Sequence, residues 1–141
     1  MGGDSFCRIK SPFSFILILI QALRTSENMR HLSLAGVGMK DELGLELADA
    51  FSENRSLESL NIESNELTNE SLEPLFNHLE THVNIREFKC AHQKAGLGSR
   101  GEEAMARAIE RNENLLKIGY SFAVPSARSV VDRSQVRKAI P

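Results

Sequence analysis

The chain is poor in cysteine, carries almost no net charge and has no long apolar run. Only two of its 141 residues are cysteine, Cys7 and Cys90, too few for a disulfide framework. Such usage fits a reducing, cytosolic compartment better than secretion. Lys and Arg total 17 against 19 Asp and Glu, a formal charge of −2, which argues against a general nucleic-acid binder. The longest apolar run, Phe13 to Ile20 with one serine inside it, is far short of the ~20 residues that cross a bilayer. Arg8 and Lys10 precede it as in a signal peptide, but no small-x-small cleavage site follows, so a buried first helix is expected. The chain also lacks a Gly-x-Ser-x-Gly turn and a phosphate loop. No enzyme activity, cofactor, metal or membrane association is therefore expected.

What is present is ordinary globular material, 41% hydrophobic and 26% charged, in one domain's length. A chain of this size buries roughly two-thirds of its unfolded surface, enough for a core. The near-zero net charge conceals an asymmetry. Residues 1–40 hold five basic and two acidic side chains, residues 41–80 one and eleven, and residues 81–141 eleven and six.

A repeat runs through the chain. Asn28-Met-Arg-His-Leu-Ser-Leu34 aligns with segments ending at Ile62, Cys90 and Tyr120. The first apolar slot is Met29, Leu57, Ile85 and Leu115; the second is Leu32, Leu60, Phe88 and Ile118; the third is Leu34, Ile62, Cys90 and Tyr120. The period of 28 to 30 residues sits at the long end of the leucine-rich-repeat range of about 20–29. The last two slots lie two residues apart, so both side chains share one face of a strand. Polar or Gly-rich loops follow, then helical stripes: Leu43, Leu47, Ala50, Phe51; Leu72, Leu75, Phe76, Leu79; Ala104, Met105, Ala108, Ile109. Ser99 to Glu102 matches a capping box, placing a helix start near Gly101. Pro74 is expected to follow a late helix start with Ser71 as N-cap. Repeated strand–helix units give parallel strands with right-handed crossovers. The expected fold is an α/β leucine-rich-repeat βα solenoid of the ribonuclease-inhibitor-like kind. Its strands line the concave face, its helices the convex face, and a capping helix runs from about residue 126. Residues 1–13 are expected to be a disordered or atypical N-terminus, and 14–141 the repeat domain. The loop asparagine of leucine-rich repeats occurs only as Asn65, with Val37 and Gln93 in its equivalent places.

Leu57-Glu-Ser-Leu-Asn-Ile-Glu-Ser-Asn65 resembles the C-terminal domain of the tropomodulin and leiomodin family of actin pointed-end proteins. His31-Leu-Ser-Leu-Ala-Gly36, Asn114-Leu-Leu-Lys-Ile-Gly-Tyr-Ser-Phe122, Pro125-Ser-Ala-Arg128 and Val136-Arg-Lys138 extend the likeness, colinearly, over about residues 19–138. The resemblance implies a cytoplasmic, cytoskeletal, monomeric actin binder that caps filament pointed ends. Contacts are implied from the strand-to-helix loops and the C-terminal helix: Met39, Lys40, Asn65, Glu66, Lys94, Arg100, Tyr120, Phe122, Arg128, Arg133, Arg137 and Lys138. Actin is acidic, which gives a basic helix a reason to be steered toward it. The family's N-terminal half, with its tropomyosin-binding helices, has no counterpart here, so tropomyosin is expected as a partner only if such a half exists. Two further departures are a first helix apolar on all sides and a short tail between Pro125 and Val136. The alternative is a general interaction module that uses the concave strand face, where Ser33, Ser59, Asn61, Glu87 and Lys89 project.

Two weaker patterns have plainer readings. His78 and His82 are spaced i, i+4 with Cys90 and His92 nearby, but this is not a metalloprotease motif, and Cys90 falls in an inward slot. Gly96 to Gly101 spells G-x-G-x-x-G without an acid at the end of the next strand, so a tight repeat turn is expected rather than a nucleotide site.

Overall fold

Each 28-residue slot in the sequence becomes one step sideways in a sheet. The computed structural model describes residues 12–140. In chain order the elements are α1 (Pro12–Thr25), β1 (His31–Ser33), α2 (Asp41–Glu53), β2 (Ser59–Asn61), α3 (Asn69–Leu79), β3 (Glu87–Lys89), α4 (Gly98–Arg111), β4 (Lys117–Gly119) and α5 (Pro125–Ala139). The strands form one parallel sheet in the order β1-β2-β3-β4. Its register pairs Leu32 with Leu60, Leu60 with Phe88, and Phe88 with Ile118, which is the second apolar slot of the repeat. Helices pack in sequence order, α1 on α2, α2 on α3, α3 on α4 and α4 on α5. This is the leucine-rich solenoid. The expected N-terminal stretch 1–13 lies, through residue 11, outside the described residues, as does Cys7.

The three slots fill the core. Leu57, Ile85 and Leu115, Leu60 and Phe88, and Ile62 and Cys90 are fully buried. They meet the helical stripes, with Phe51, Phe76, Leu47, Met105 and Ile109 among the most enclosed side chains. Phe76 and Phe88 contact edge-on, with centroids 6.2 Å apart. Cys90 Sγ rests 3.8 Å from Met105 Sδ, and burial pushes its thiol pKa up, so it stays a neutral apolar filler.

Side-chain polar groups tie the units together at two levels. Where helix meets strand, Ser26, Asn54, His82 and Asn112 recur 28, 28 and 30 residues apart. Each accepts from the backbone N–H two residues on, and the first three also accept from the next N–H. Asn54 and Asn112 also donate Nδ2 to carbonyls of the preceding unit, Leu23 and Ser26 for one, Leu79 and His82 for the other. In the strand-to-helix loops Asn65 Oδ1 accepts from Val37 and Met39, while Nδ2 donates to Leu34, Ile62 and Glu63. Gln93 does the same work one unit on, accepting from Leu67 and donating to Ile62 and Cys90. The loop ladder therefore continues through Gln93 despite the change of residue.

Four local expectations are corrected. α3 starts early, at Asn69, with Thr68 as N-cap accepting from Glu70 N–H, so Pro74 lies inside the helix. Ser71 is not a cap; its hydroxyl donates to Asp41 at 2.6 Å and pins α3 to α2. α4 starts at Gly98 with no side-chain cap, because Glu102 turns toward the last loop instead of back toward Ser99. The terminal helix begins at Pro125, one residue before the expected boundary, with Pro in its first turn as the missing N–H allows. α1 is buried on one side only, through Ile16, Ile20 and Leu23, while Phe13, Phe15 and Ile18 are exposed.

Candidate functional site

The strand-to-helix loops line up along one rim of the solenoid, and α5 closes its last unit. The rim needs a left-handed residue in each turn: Gly36, Ser64 and His92, again 28 apart, have φ of 65°, 58° and 63°. Non-glycine residues held there store strain, and such sites often mark functional loops. Gly98 at φ +67° opens α4, and a side chain at Gly101 would sit 2.4 Å from Asn69 Oδ1. The G-x-G-x-x-G run thus serves a turn and a close helix approach.

The residues implied by resemblance divide sharply. Met39 is fully buried and Asn65 only 3% exposed with its amide fully engaged, so both leave the contact set. Phe122 is buried against Tyr120, edge-on at 4.9 Å. Tyr120 donates its hydroxyl to Glu102 at 2.8 Å, and burial together with that carboxylate pushes the phenol pKa up. Arg128 donates to the Phe122 carbonyl at 2.6 Å. Arg137 grips Glu113 through both carboxylate oxygens, at 2.6 and 2.9 Å. Lys138 Nζ donates to the carbonyls of Ile109, Asn112 and Leu115, closing the C-terminus of α4, and burial lowers its pKa. Tyr120, Phe122 and Lys138 thus bond within the molecule, whereas Arg128 and Arg137 make their bonds from the exposed side of α5. Lys40, Lys94, Arg100 and Arg133 remain outward. Lys94 pairs loosely with Glu66 at 3.6 Å, and Arg100 with Glu73 at 3.1 Å. Such exposed pairs are worth little and yield readily to a partner.

Glu102 was not legible as an important residue. It is 3% exposed, yet its carboxylate accepts from Tyr120 OH, Ala123 N–H and Val124 N–H. Burial pushes its pKa up, but the two backbone N–H bonds, the Tyr120 hydroxyl and nearby Arg128 outweigh that and hold it below the ordinary range. It replaces the missing amide of the last loop and seats the first turn of α5. Over its whole length α5 buries only Ala127, Val131 and Ser134, so polar fasteners at both ends hold it. On its outer side Asp132, Arg133, Val136, Arg137 and Ile140 line a shallow depression of about 560 Å³.

The concave face shows His31 and Ser33 on β1, Ser59 and Asn61 on β2, Glu87 and Lys89 on β3, and Lys117 on β4. Ser59, Glu87 and Lys89 are linked to one another at 3.3 and 3.5 Å. Among the described residues no group of three metal-ligating side chains converges, and no helix is long and apolar enough to cross a membrane.

A parallel sheet of short strands, one helix per strand, and a ladder of loop amides define a leucine-rich-repeat protein. The family model of the TMOD/LMOD leucine-rich domain matches residues 9–139, and the chain belongs to that family. It is 33% identical to human leiomodin-3 over 120 residues, covering 85% of this chain and 21% of that protein. It is 38% identical to tropomodulin of Caenorhabditis elegans over 120 residues, covering 84% of this chain and 31% of that one. The chain thus spans about a fifth to a third of these relatives. Among solved structures, the C. elegans tropomodulin C-terminal domain superposes with a TM-score of 0.83 at 36% identity, over 91% of this chain and 77% of that one. A structure of leiomodin-1 actin-binding site 2 shares the fold, with a TM-score of 0.82 at 24% identity over 88% and 72%.

Proposed function

We propose that this chain is an actin-binding cytoskeletal module that occupies filament pointed ends through its leucine-rich-repeat domain. The reading rests on one observation: 91% of the chain superposes on 77% of a tropomodulin C-terminal domain at 36% identity. The related leiomodin-1 domain is itself described as an actin-binding site. The surface available for that role is narrower than the sequence implied. It consists of the rim basics Lys40, Lys94 and Arg100, with Glu66 beside them, and the outer side of α5 around Arg133, Val136 and Ile140. Arg128, Arg137 and Lys138 also seat α5, through the Phe122 carbonyl, Glu113 and the end of α4. Acidic actin favours the basic groups in encounter, and the apolar depression supplies desolvated contact area.

The mechanism is occlusion: the bound domain covers subunit surfaces that an incoming monomer needs. No chemistry or cofactor is involved. Linked sites gain from effective concentration, so this domain alone binds more weakly than a protein that joins it to further actin or tropomyosin sites. The test is elongation from barbed-end-blocked seeds with Arg133→Glu. Wild type slows pointed-end growth and the variant does so less; unchanged growth with wild type rejects the reading.

A further inference from the structure

The turns of the loop rim share one backbone in three units but not one residue. Gly36, Ser64 and His92 occupy equivalent places, with φ of 65°, 58° and 63°. Main-chain bonds close the turn: Gly36 N–H donates to the Glu63 carbonyl and Ser64 N–H to that of Ala91, both at 3.0 Å. Glycine at the first place shows that the turn needs no side chain. A side chain there carries a cost, because Cβ crowds the following carbonyl oxygen, and glycine has no Cβ. Serine and histidine therefore stand where glycine is the more stable choice. Nothing inside the molecule accounts for them. Both side chains are exposed, and neither makes a hydrogen bond, an ion pair or an aromatic contact among the described residues. The residues that follow, Asn65 and Gln93, turn inward and carry the loop ladder instead. In the fourth unit the equivalent Phe122 is buried, so the outward row ends at His92.

We propose that Ser64 and His92 are contact residues of the rim, held in strained turns because their side chains bind the partner. This rests on the reading that the partner is actin, and it adds two positions to the contact surface. The Ser64 hydroxyl and the His92 imidazole each offer a hydrogen-bond donor, and they stand one repeat unit apart. Lys94, two residues beyond His92 and only loosely paired with Glu66 at 3.6 Å, adds a third. Such a row matches carboxylates and carbonyls on an acidic surface. The turns already fix the two backbones, so engagement costs little further ordering. Stability and binding are therefore opposed at these positions: glycine relieves the backbone and removes the contact.

Urea unfolding and pointed-end elongation from barbed-end-blocked actin seeds, measured on the same variants of the full chain, test this. Ser64→Gly and His92→Gly should each raise the urea midpoint, the more so at Ser64, since histidine tolerates the left-handed region better. Both should nevertheless inhibit growth less, each needing roughly 2–10 times more protein for half-inhibition, the range of one lost hydrogen bond. Ser64→Ala and His92→Ala separate contact from turn stiffness: they keep Cβ and should weaken inhibition as much as the glycine variants. Inhibition kept by the alanine variants and lost only with glycine overturns the proposal. So does inhibition unchanged in the double glycine variant, or a urea midpoint lowered by both glycine substitutions. Failure of the actin reading looks different: the wild-type chain itself then leaves growth unchanged, and the contact role of Ser64 and His92 falls with it.

Discussion

At the scale of single residues, four amides and a histidine hold the units in register. Asn65 makes five hydrogen bonds, so Asn65→Ala strands the buried Met39 N–H together with carbonyls of two units. A loss of about 3 kcal/mol is expected in urea unfolding, since each abandoned buried group costs ~1–3 kcal/mol. His82 replaces asparagine in the other ladder. Its Nδ1 accepts from Asn84 and Ile85 N–H, so the proton sits on Nε2, which makes no well-formed hydrogen bond. The ring instead stacks on Phe51 at 4.4 Å. Burial, with Arg55 adding to it against the Asn54 carbonyl, lowers the His82 pKa from 6.5 to about 4. The neutral ring is the folded form, so between these values the unfolded chain binds the extra proton. Stability is therefore full above about 6.5 and falls as the pH drops toward 4, by at most about 3 kcal/mol. His82→Asn should flatten that dependence in melts across this window and restore the missing donors. The apolar slots were legible because apolar character recurs in them at a fixed spacing. The position of Gln93 was legible but its role was not, and His82 was missed, because different side chains meet the same demand. Glu102 was hidden because its partners lie in the next unit.

At the scale of elements, α3 and α5 carry the clearest tests. Pro74 cannot donate to the Glu70 carbonyl, so Pro74→Ala should raise stability by about 1–3 kcal/mol, read from the urea midpoint. The sequence placed this helix too late because proline is usually confined to first turns; burial of Leu72, Leu75, Phe76 and Leu79 outweighed that preference. α5 depends on Glu102 at its start and on Lys138 and Arg137 near its end. Glu102→Ala should release it: hydrogen exchange of residues 125–139 should rise strongly while α2 and α3 stay protected. Equal loss of protection throughout would show that α5 is not a separable element. Charge reversal at Arg137 or Lys138 therefore tests the seating of α5, and Arg133 is the informative position for contact.

At the scale of the whole molecule, the charge blocks of the sequence largely cancel. Arg24 binds Asp49 and Glu53, Arg30 binds Glu58, Lys94 binds Glu66, Arg100 binds Glu73 and Arg111 binds Glu80. Each pair steps across one unit, so the acidic second unit is matched by basic residues on either side. The fold class, strand register and helix order were legible because a repeat converts sequence spacing directly into sheet neighbours. The interaction surface was legible only in outline, since which basic side chains point inward depends on the capping of neighbouring helices. What remains is a solenoid with a basic rim and a fastened terminal helix. The most direct test of the account is pointed-end elongation of labelled actin from barbed-end-blocked seeds. Dose-dependent slowing by the wild-type chain, weakened by Arg133→Glu at unchanged thermal stability, is the predicted result. Elongation unaffected at high protein concentration would contradict it.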